Sequence, residues 1–220
     1  MKRNAVVFDL DGTLIDSAPD LQAALNETLR EIGKKPLPQE AVRRMIGDGT
    51  AMLVARGLAA SGVAAEALAE CLPRFLALYE ADPVRHTRLY PGVPQVLAQL
   101  VAEGRRLAIC TNKPQTATLA VLRGLDLDGF FAAVVGGDAL AVKKPDPGHV
   151  LGAIAALGVA PEHAVMVGDN ENDVAAGKGA GVPVVLVRYG YARVPLAELP
   201  ADIQIDDFTS LPAALATLEQ

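Results

Sequence analysis

Apolar residues follow two rhythms along the chain. Short continuous runs rich in β-branched residues occupy positions 5–8, 107–110, 133–135, 164–167 and 184–187. None alternates with polar residues, which is the pattern of strands covered on both faces. From residue 94 onward these runs alternate with helical spacing near 94–103, 115–124, 147–158 and 172–180. Strand, helix, strand, helix predicts a parallel sheet joined by right-handed crossovers.

The interval between residues 8 and 107 breaks this alternation. Its apolar positions predict helices over about 19–33, 38–46, 49–60 and 64–81. Leu21, Leu25, Thr28, Leu29 and Ile32 share one helical face. Pro19 suits a first helical turn and Gly33 a helix end. The expected fold class is α/β: a Rossmann-like parallel-sheet core of residues 1–16 plus 87–220, interrupted by an all-helical insert over 17–86. The chain returns to the core near Tyr90-Pro91-Gly92, and no internal repeat is visible.

Composition narrows the function classes. With 51% apolar and 21% charged residues the chain is no disordered polymer. A body of 220 residues buries roughly 70% of its unfolded surface. Trp is absent and aromatics reach 4%, so Ala, Val, Leu and Ile must fill the core. A net charge of −6 argues against nucleic acid as a partner. Cys71 and Cys110 are far apart and fit a reducing compartment. Lys2 and Arg3 resemble a signal-peptide start, but Asp9 and Asp11 interrupt the apolar run that should follow. No stretch has the ~20 apolar residues of a membrane span. The expectation is a soluble cytoplasmic protein with no membrane partner.

Four short stretches carry candidate chemistry. The first run ends in Asp9-Leu10-Asp11-Gly12-Thr13. Ligands of open α/β sheets bind at the carboxyl ends of strands. Two carboxylates there repel each other unless a cation lies between them. A calcium-binding loop is excluded, since its sixth position needs Gly and here is Leu14. The second strand end reads Thr111-Asn112-Lys113-Pro114, where a hydroxyl and an amide can donate to anionic oxygens. Lys143-Lys144-Pro145 precedes a helix, and either lysine could meet a phosphate. Asp169-Asn170-Glu171-Asn172-Asp173 follows another strand. These acids suit a hard divalent cation, a helix N-cap, or both. His86, His149 and His163 show neither metal spacing nor a triad partner, and suit surface or capping positions.

Taken in order, the acid pair, Thr111, the lysine and the second acid pair resemble the haloacid dehalogenase superfamily of phosphohydrolases. The resemblance spans residues 5 to about 190, and the insert is similar to that superfamily's helical cap. It implies Asp9 as nucleophile, forming an aspartyl-phosphate, and Asp11 as the acid that protonates the leaving oxygen and then the base that activates water. It implies Mg²⁺ held by Asp9, Asp169 and Asp11 through its main-chain carbonyl, with Asp173 as a ligand or supporting partner. Thr111, Asn112 and Lys144 would hold the phosphoryl oxygens, Lys144 being preferred because the family's lysine precedes the proline. The substrate would be a small phosphorylated metabolite and the protein a monomer or homodimer.

Finer resemblances point further. Asp16-Ser17-Ala18-Pro19-Asp20-Leu21, Ile46-Gly47-Asp48-Gly49-Thr50, Thr111-Asn112-Lys113-Pro114 and Tyr189-Gly190-Tyr191 resemble bacterial phosphoglycolate phosphatases, with Asp48 where the pattern often carries Asn. That implies hydrolysis of 2-phosphoglycolate, whose carboxylate needs a cation or main-chain donors. Arg43, Arg44 and Arg56 are candidates for it, although each also suits a helix surface. Alternatives are the same chemistry on a sugar phosphate, pyrophosphate or nucleotide, or a phosphomutase. A phospho-aspartate signalling module is the rival from another class. Its acid pair would be adjacent and its phospho-acceptor would follow a later strand.

Overall fold

The computed structural model describes residues 3–220, so Lys2 and the start of the expected core segment lie outside it. Among the described residues there are eight strands: β1 (Ala5–Phe8), β2 (Ile15–Asp16), β3 (Arg88–Leu89), β4 (Arg106–Cys110), β5 (Ala133–Val135), β6 (Ala164–Gly168), β7 (Val184–Val187) and β8 (Ile203–Ile205). Six form a parallel sheet in the order β5-β4-β1-β6-β7-β8. Five are the five apolar runs. β8 was not anticipated, because three residues at a sheet edge leave little periodic signal.

The continuity of those runs has a direct cause. Val6 and Phe8 of β1 enter one apolar cluster, and Ala5 and Val7 the other. The same division holds in β4, β6 and β7: Leu107, Ile109, Val165, Val167, Val185 and Val187 point one way, while Ala108, Cys110, Ala164, Met166, Val184 and Leu186 point the other. Successive strand side chains face opposite sides, so a sheet covered on both sides needs apolar residues at every position. Helices α7 (Pro147–Ala156) and α8 (Glu171–Gly179) cover one face. Helices α5 (Val93–Ala102), α6 (Gln115–Gly124) and α9 (Leu211–Thr217) cover the other.

Between β2 and β3 lie α1 (Ala18–Glu31), α2 (Gln39–Arg43), α3 (Thr50–Ala60) and α4 (Leu68–Ala81). Pro19 stands in the first turn of α1, and Gly33 ends it with φ +73°. There Gly33 N donates to Arg30 O and Lys34 N to Leu29 O, the paired bonds that satisfy a helix terminus. Leu25, Leu29, Val54, Leu58 and Phe75 join these helices, and their cluster continues into the one beneath α5. The two passages into and out of this region pair as an antiparallel ribbon, Ile15 opposite Leu89 and Asp16 opposite Arg88. Asp20 clasps the ribbon: its buried carboxylate accepts from His86 N, Thr87 N and Thr87 Oγ1.

Candidate active site

Strand order brings the chemistry together. β1 lies between β4 and β6, so Asp9 and Asp11 after β1, Thr111 after β4 and Asp169 after β6 emerge side by side. The chain steps outward from β1 to β4 and β5, then crosses to β6 on the other side. Asp9 therefore stands at the reversal point where open α/β sheets hold ligands.

Asp9, Asp169 and Asp173 are buried, with carboxylate oxygens within 4.8 Å of one another. Lys144 reaches into them, its Nζ 2.8 Å from Asp9 Oδ1 and 2.6 Å from Asp173 Oδ1. Burial pushes the Asp9 carboxyl up to about 6, Lys144 pulling the other way and Asp173 adding to the rise. Burial also raises Asp169 well above its ordinary value, with Asp173 and Asp9 adding to it. Burial works against the Lys144 ammonium, but Asp173 and Asp9 outweigh it and hold the group protonated. Three buried carboxylates face one ammonium, an excess of negative charge in a low-dielectric setting. Oxygen donors of this kind fit a hard divalent cation such as magnesium.

Local sequence fixes these acids. Asn170 caps α8: its Oδ1 accepts from Asn172 N, while Asp173 Oδ2 accepts from the backbone N–H groups of Asp169 and Asn170. The N-cap and acid-cluster readings of this stretch thus hold together, with Asp169 at the strand mouth and Asp173 in the first helical turn. Asp169 also accepts from Thr13 Oγ1, Asn170 Nδ2 and, at 2.5 Å, Tyr191 N. Gly12 makes this closeness possible. Its φ is +92°, and a Cβ there would lie 2.4 Å from Asp169 Oδ2.

The Asp11 carboxylate turns away from that trio. Ser17 Oγ donates to its Oδ1 at 2.6 Å, and Lys113 Nζ lies 3.1 Å from both oxygens. The Lys113 ammonium also sits 4.6 Å from the centre of the Tyr79 ring. Burial opposes its charge, but Asp11 and Tyr79 outweigh burial and keep it protonated. Lys113 had no role in the sequence reading beyond belonging to the Thr111-Asn112-Lys113-Pro114 run.

The two adjacent lysines separate cleanly. Lys144 is buried among the acids, whereas Lys143 is exposed and donates to the Asp48 carbonyl at 2.8 Å. Asn112 differs from a free anion donor. Its Nδ2 donates to Gly47 O at 2.9 Å and Lys144 O at 2.8 Å, so its amide joins the loop before α3 to the loop before α7. Thr111 is buried beside it, its backbone N–H bonded to Val135 O.

A narrow cleft of about 30 Å³ lies over these residues. Asp9, Asp11, Thr111, Asn112 and Lys113 form its floor, and Leu21, Ile46, Gly47, Gly49, Thr50 and Leu53 its roof. The roof is latched through Asp48, whose carboxylate pairs with Arg193 and Arg56 and accepts from Asn172 Nδ2 at 2.6 Å. Tyr191 adds a second tie: its Oη donates to Asp16 Oδ1 at 2.6 Å and accepts from Ser17 N and Ala18 N. Sequence alone gives Tyr191 no role beyond the Tyr189-Gly190-Tyr191 run and gives Arg193 none, because their partners Asp16 and Asp48 are far away in sequence.

The three candidate arginines face elsewhere. Arg43 pairs with Asp16 at 2.7 Å, Arg44 with Glu40 at 3.0 Å on the surface, and Arg56 with Asp48. His149 departs from its expected surface or capping position. It lies on the packed face of α7, fully buried, with Nε2 3.1 Å from Gly136 O. Cys110 is buried in β4, and burial pushes its thiol up to about 12, leaving it inert.

Comparison with known proteins places this arrangement in a family. The model of "Haloacid dehalogenase-like hydrolase" matches residues 6–187. A phosphoglycolate phosphatase of Rhodospirillum rubrum is 48% identical over 213 residues, covering 94% of this chain and 88% of the relative. One from Caulobacter vibrioides is 43% identical over 215 residues, covering 97% and 91%. Among solved structures, one described as a predicted phosphoglycolate phosphatase from Haemophilus somnus superposes with a TM-score of 0.92 at 30% identity, covering 100% of this chain and 99% of that one. Sheet order, acid trio and these matches agree, and the chain belongs to the haloacid dehalogenase-like hydrolase family.

Proposed function

We propose that this phosphatase hydrolyses 2-phosphoglycolate to glycolate and phosphate, with residues 17–86 acting as a cap over a core of residues 1–16 plus 87–220. One observation supports the reading above all. Asp9 and Asp11 line one narrow cleft with Thr111 and Lys113 under a roof of Leu21, Ile46 and Leu53, so the nucleophile, the acid–base group and donors to an anion meet in one place. Two relatives of which this chain covers 88% and 91% are named phosphoglycolate phosphatase.

In the proposed reaction an Asp9 carboxylate oxygen attacks phosphorus and the phosphorus–ester oxygen bond breaks. Asp11, held by Ser17 and Lys113 apart from the acid trio, gives its proton to the departing oxygen and releases glycolate. It then takes a proton from water. The water oxygen attacks phosphorus, the bond to Asp9 breaks, and phosphate leaves with both carboxyl groups restored. One group serves as acid and then base, and two easier steps replace one difficult one. Thr111 lies at the floor to donate to the transferring group, and Lys144 lies beside Asp9 to offset its charge. Asp9, Asp169, Asp173 and the Asp11 main-chain carbonyl would hold Mg²⁺. When bound, that cation supplies positive charge that lets an anionic nucleophile meet an anionic phosphate.

Among the described residues no helix is long and apolar enough to cross a membrane. The proposed setting is the cytoplasm, with the protein as a monomer or homodimer. The test is phosphate release from 2-phosphoglycolate, sugar phosphates, nucleotides and pyrophosphate with magnesium. Wild type should prefer phosphoglycolate, and Asp9→Asn should lower its turnover by at least about 10⁴-fold. Magnesium should raise the melting temperature of wild type and not of Asp169→Asn. Equal rates across the panel would sink the substrate, and an active Asp9→Asn the mechanism.

A further inference from the structure

We propose that Lys113 is the specificity residue of this phosphatase: its ammonium receives a carboxylate carried by the substrate, exchanging Asp11 for that carboxylate when substrate binds. The inference rests on the phosphoglycolate reading and deepens it by naming the group that would recognise the non-reacting end.

A small diacid needs two cationic regions in one cleft. Lys144 serves the reacting end, since its Nζ is held between Asp9 and Asp173. It does not itself line the open space. Among the described residues that do, Lys113 is the one cation. Arg43, Arg44 and Arg56 are each paired with a carboxylate elsewhere and do not line the cleft. The roof offers Leu21, Ile46 and Leu53, which cannot compensate an anion, and Gly47, Gly49 and Thr50 at the start of α3, which can donate hydrogen bonds to one but carry no positive charge.

The setting of Lys113 suits an exchange. Its side chain is 3% exposed, so water does not compete strongly for it. An ammonium has three donors, yet both carboxylate contacts here go to one group. Both are 3.1 Å, longer than the ~2.7–2.9 Å of a tight charge-assisted bond. The Tyr79 ring, 4.6 Å from Nζ, comes from α4 and holds the ammonium from the cap side. An incoming carboxylate can share Nζ with Asp11 or take its place, and the released Asp11, less deeply buried than Lys113, is then left to Ser17 and to water in the cleft. Ser17 Oγ, 2.6 Å from Asp11 Oδ1, keeps hold of Asp11 when Lys113 turns to the substrate. Binding a substrate that carries a carboxylate thus loosens Asp11 for its acid–base work. A substrate without one leaves Asp11 tied to Lys113.

The test compares 2-phosphoglycolate with ethyl phosphate, which has the same short ester but no carboxylate, in wild type and Lys113→Met. Wild type should favour phosphoglycolate. In Lys113→Met its kcat/KM should fall about 100-fold, mostly through KM, as expected for a lost charge-assisted contact. The loss on ethyl phosphate, which reports only the broken contact with Asp11, should be at least about tenfold smaller. Lys113→Glu should reverse the preference toward phosphoethanolamine, and Lys113→Arg should restore much of the wild-type ratio. Equal losses on both substrates would mean that Lys113 acts only through Asp11, and would overturn the inference. So would a preference kept in Lys113→Met, which would leave the proposed substrate standing. Wild type alone supplies a check independent of variant folding: if it turns over both substrates equally well, no carboxylate site exists. If it hydrolyses ethyl phosphate but not phosphoglycolate, the substrate reading itself fails.

Discussion

The floor of the cleft and the latch of its roof are both built from ion pairs, but they differ in burial. Beneath the floor, the Lys144, Asp9 and Asp173 side chains are 2%, 8% and 0% exposed. At the latch, Arg193 and Asp48 are 20% and 21% exposed, and Arg56 is 32%. Breaking a fully buried pair strands a charge and costs about 3–5 kcal/mol. A partly exposed pair gives back little, because water replaces each lost partner. The floor is thus fixed by the sheet, while the roof is held by partly exposed contacts. The proposed cap, which would have to admit substrate and exclude water, needs that inequality.

Gly12→Ala should give the largest breach of this contrast. Its new Cβ would press on Asp169 and Tyr191, and its φ of +92° strains any other residue. The expected cost is about 3 kcal/mol or more, with activity lost, as read by urea unfolding and phosphate release. A mild effect would show that the floor yields as easily as the roof. Asp48→Asn comes next. It should cost about 1 kcal/mol or less in stability and raise KM several-fold, with the KM of wild type rising as salt screens the latch. A large loss of stability would place Asp48 with the floor.

The latch also has a pH signature. Burial pushes the Asp48 carboxyl up, but bonds from Arg193, Asn172 and Arg56 outweigh it and hold the group well below the usual carboxylate range. A lowered folded value stabilises the protein above the unfolded value, near 4, and the gain disappears as acid drives the folded group through its own. The stability difference between wild type and Asp48→Asn should therefore be flat above about pH 5 and shrink below it. Arg44→Ala should have the smallest effect, within about 0.5 kcal/mol and without change in KM, since its pairing with Glu40 is on the surface.

Much of this was readable before any coordinates. Apolar runs at every position meant a sheet covered on both faces, and the two-cluster division of β1, β4, β6 and β7 is that expectation realised. Asp9 and Asp169 were legible because each directly follows such a run. Asp173 is legible as an acid four residues after Asp169, in the first turn of the next helix, and its place in the site comes from the family resemblance. α9 and β8 were missed, as short elements near the chain end with weak periodicity.

What the chain determined alone is local: a strand, its terminal acid, the glycine that lets the backbone pass, the cap of the next helix. Such features depend on residues a few positions apart and on backbone sterics, so they are written as short motifs. Only the tertiary structure decided who meets whom across the cleft. Lys113 and Asp11 are 102 positions apart, and Arg193 and Asp48 are 145 apart. A charged side chain carries no mark of its partner in sequence. Its pairing is settled when sheet order and helix packing bring two distant loops to the same edge, and the energy of the pair then depends on how much water remains around it.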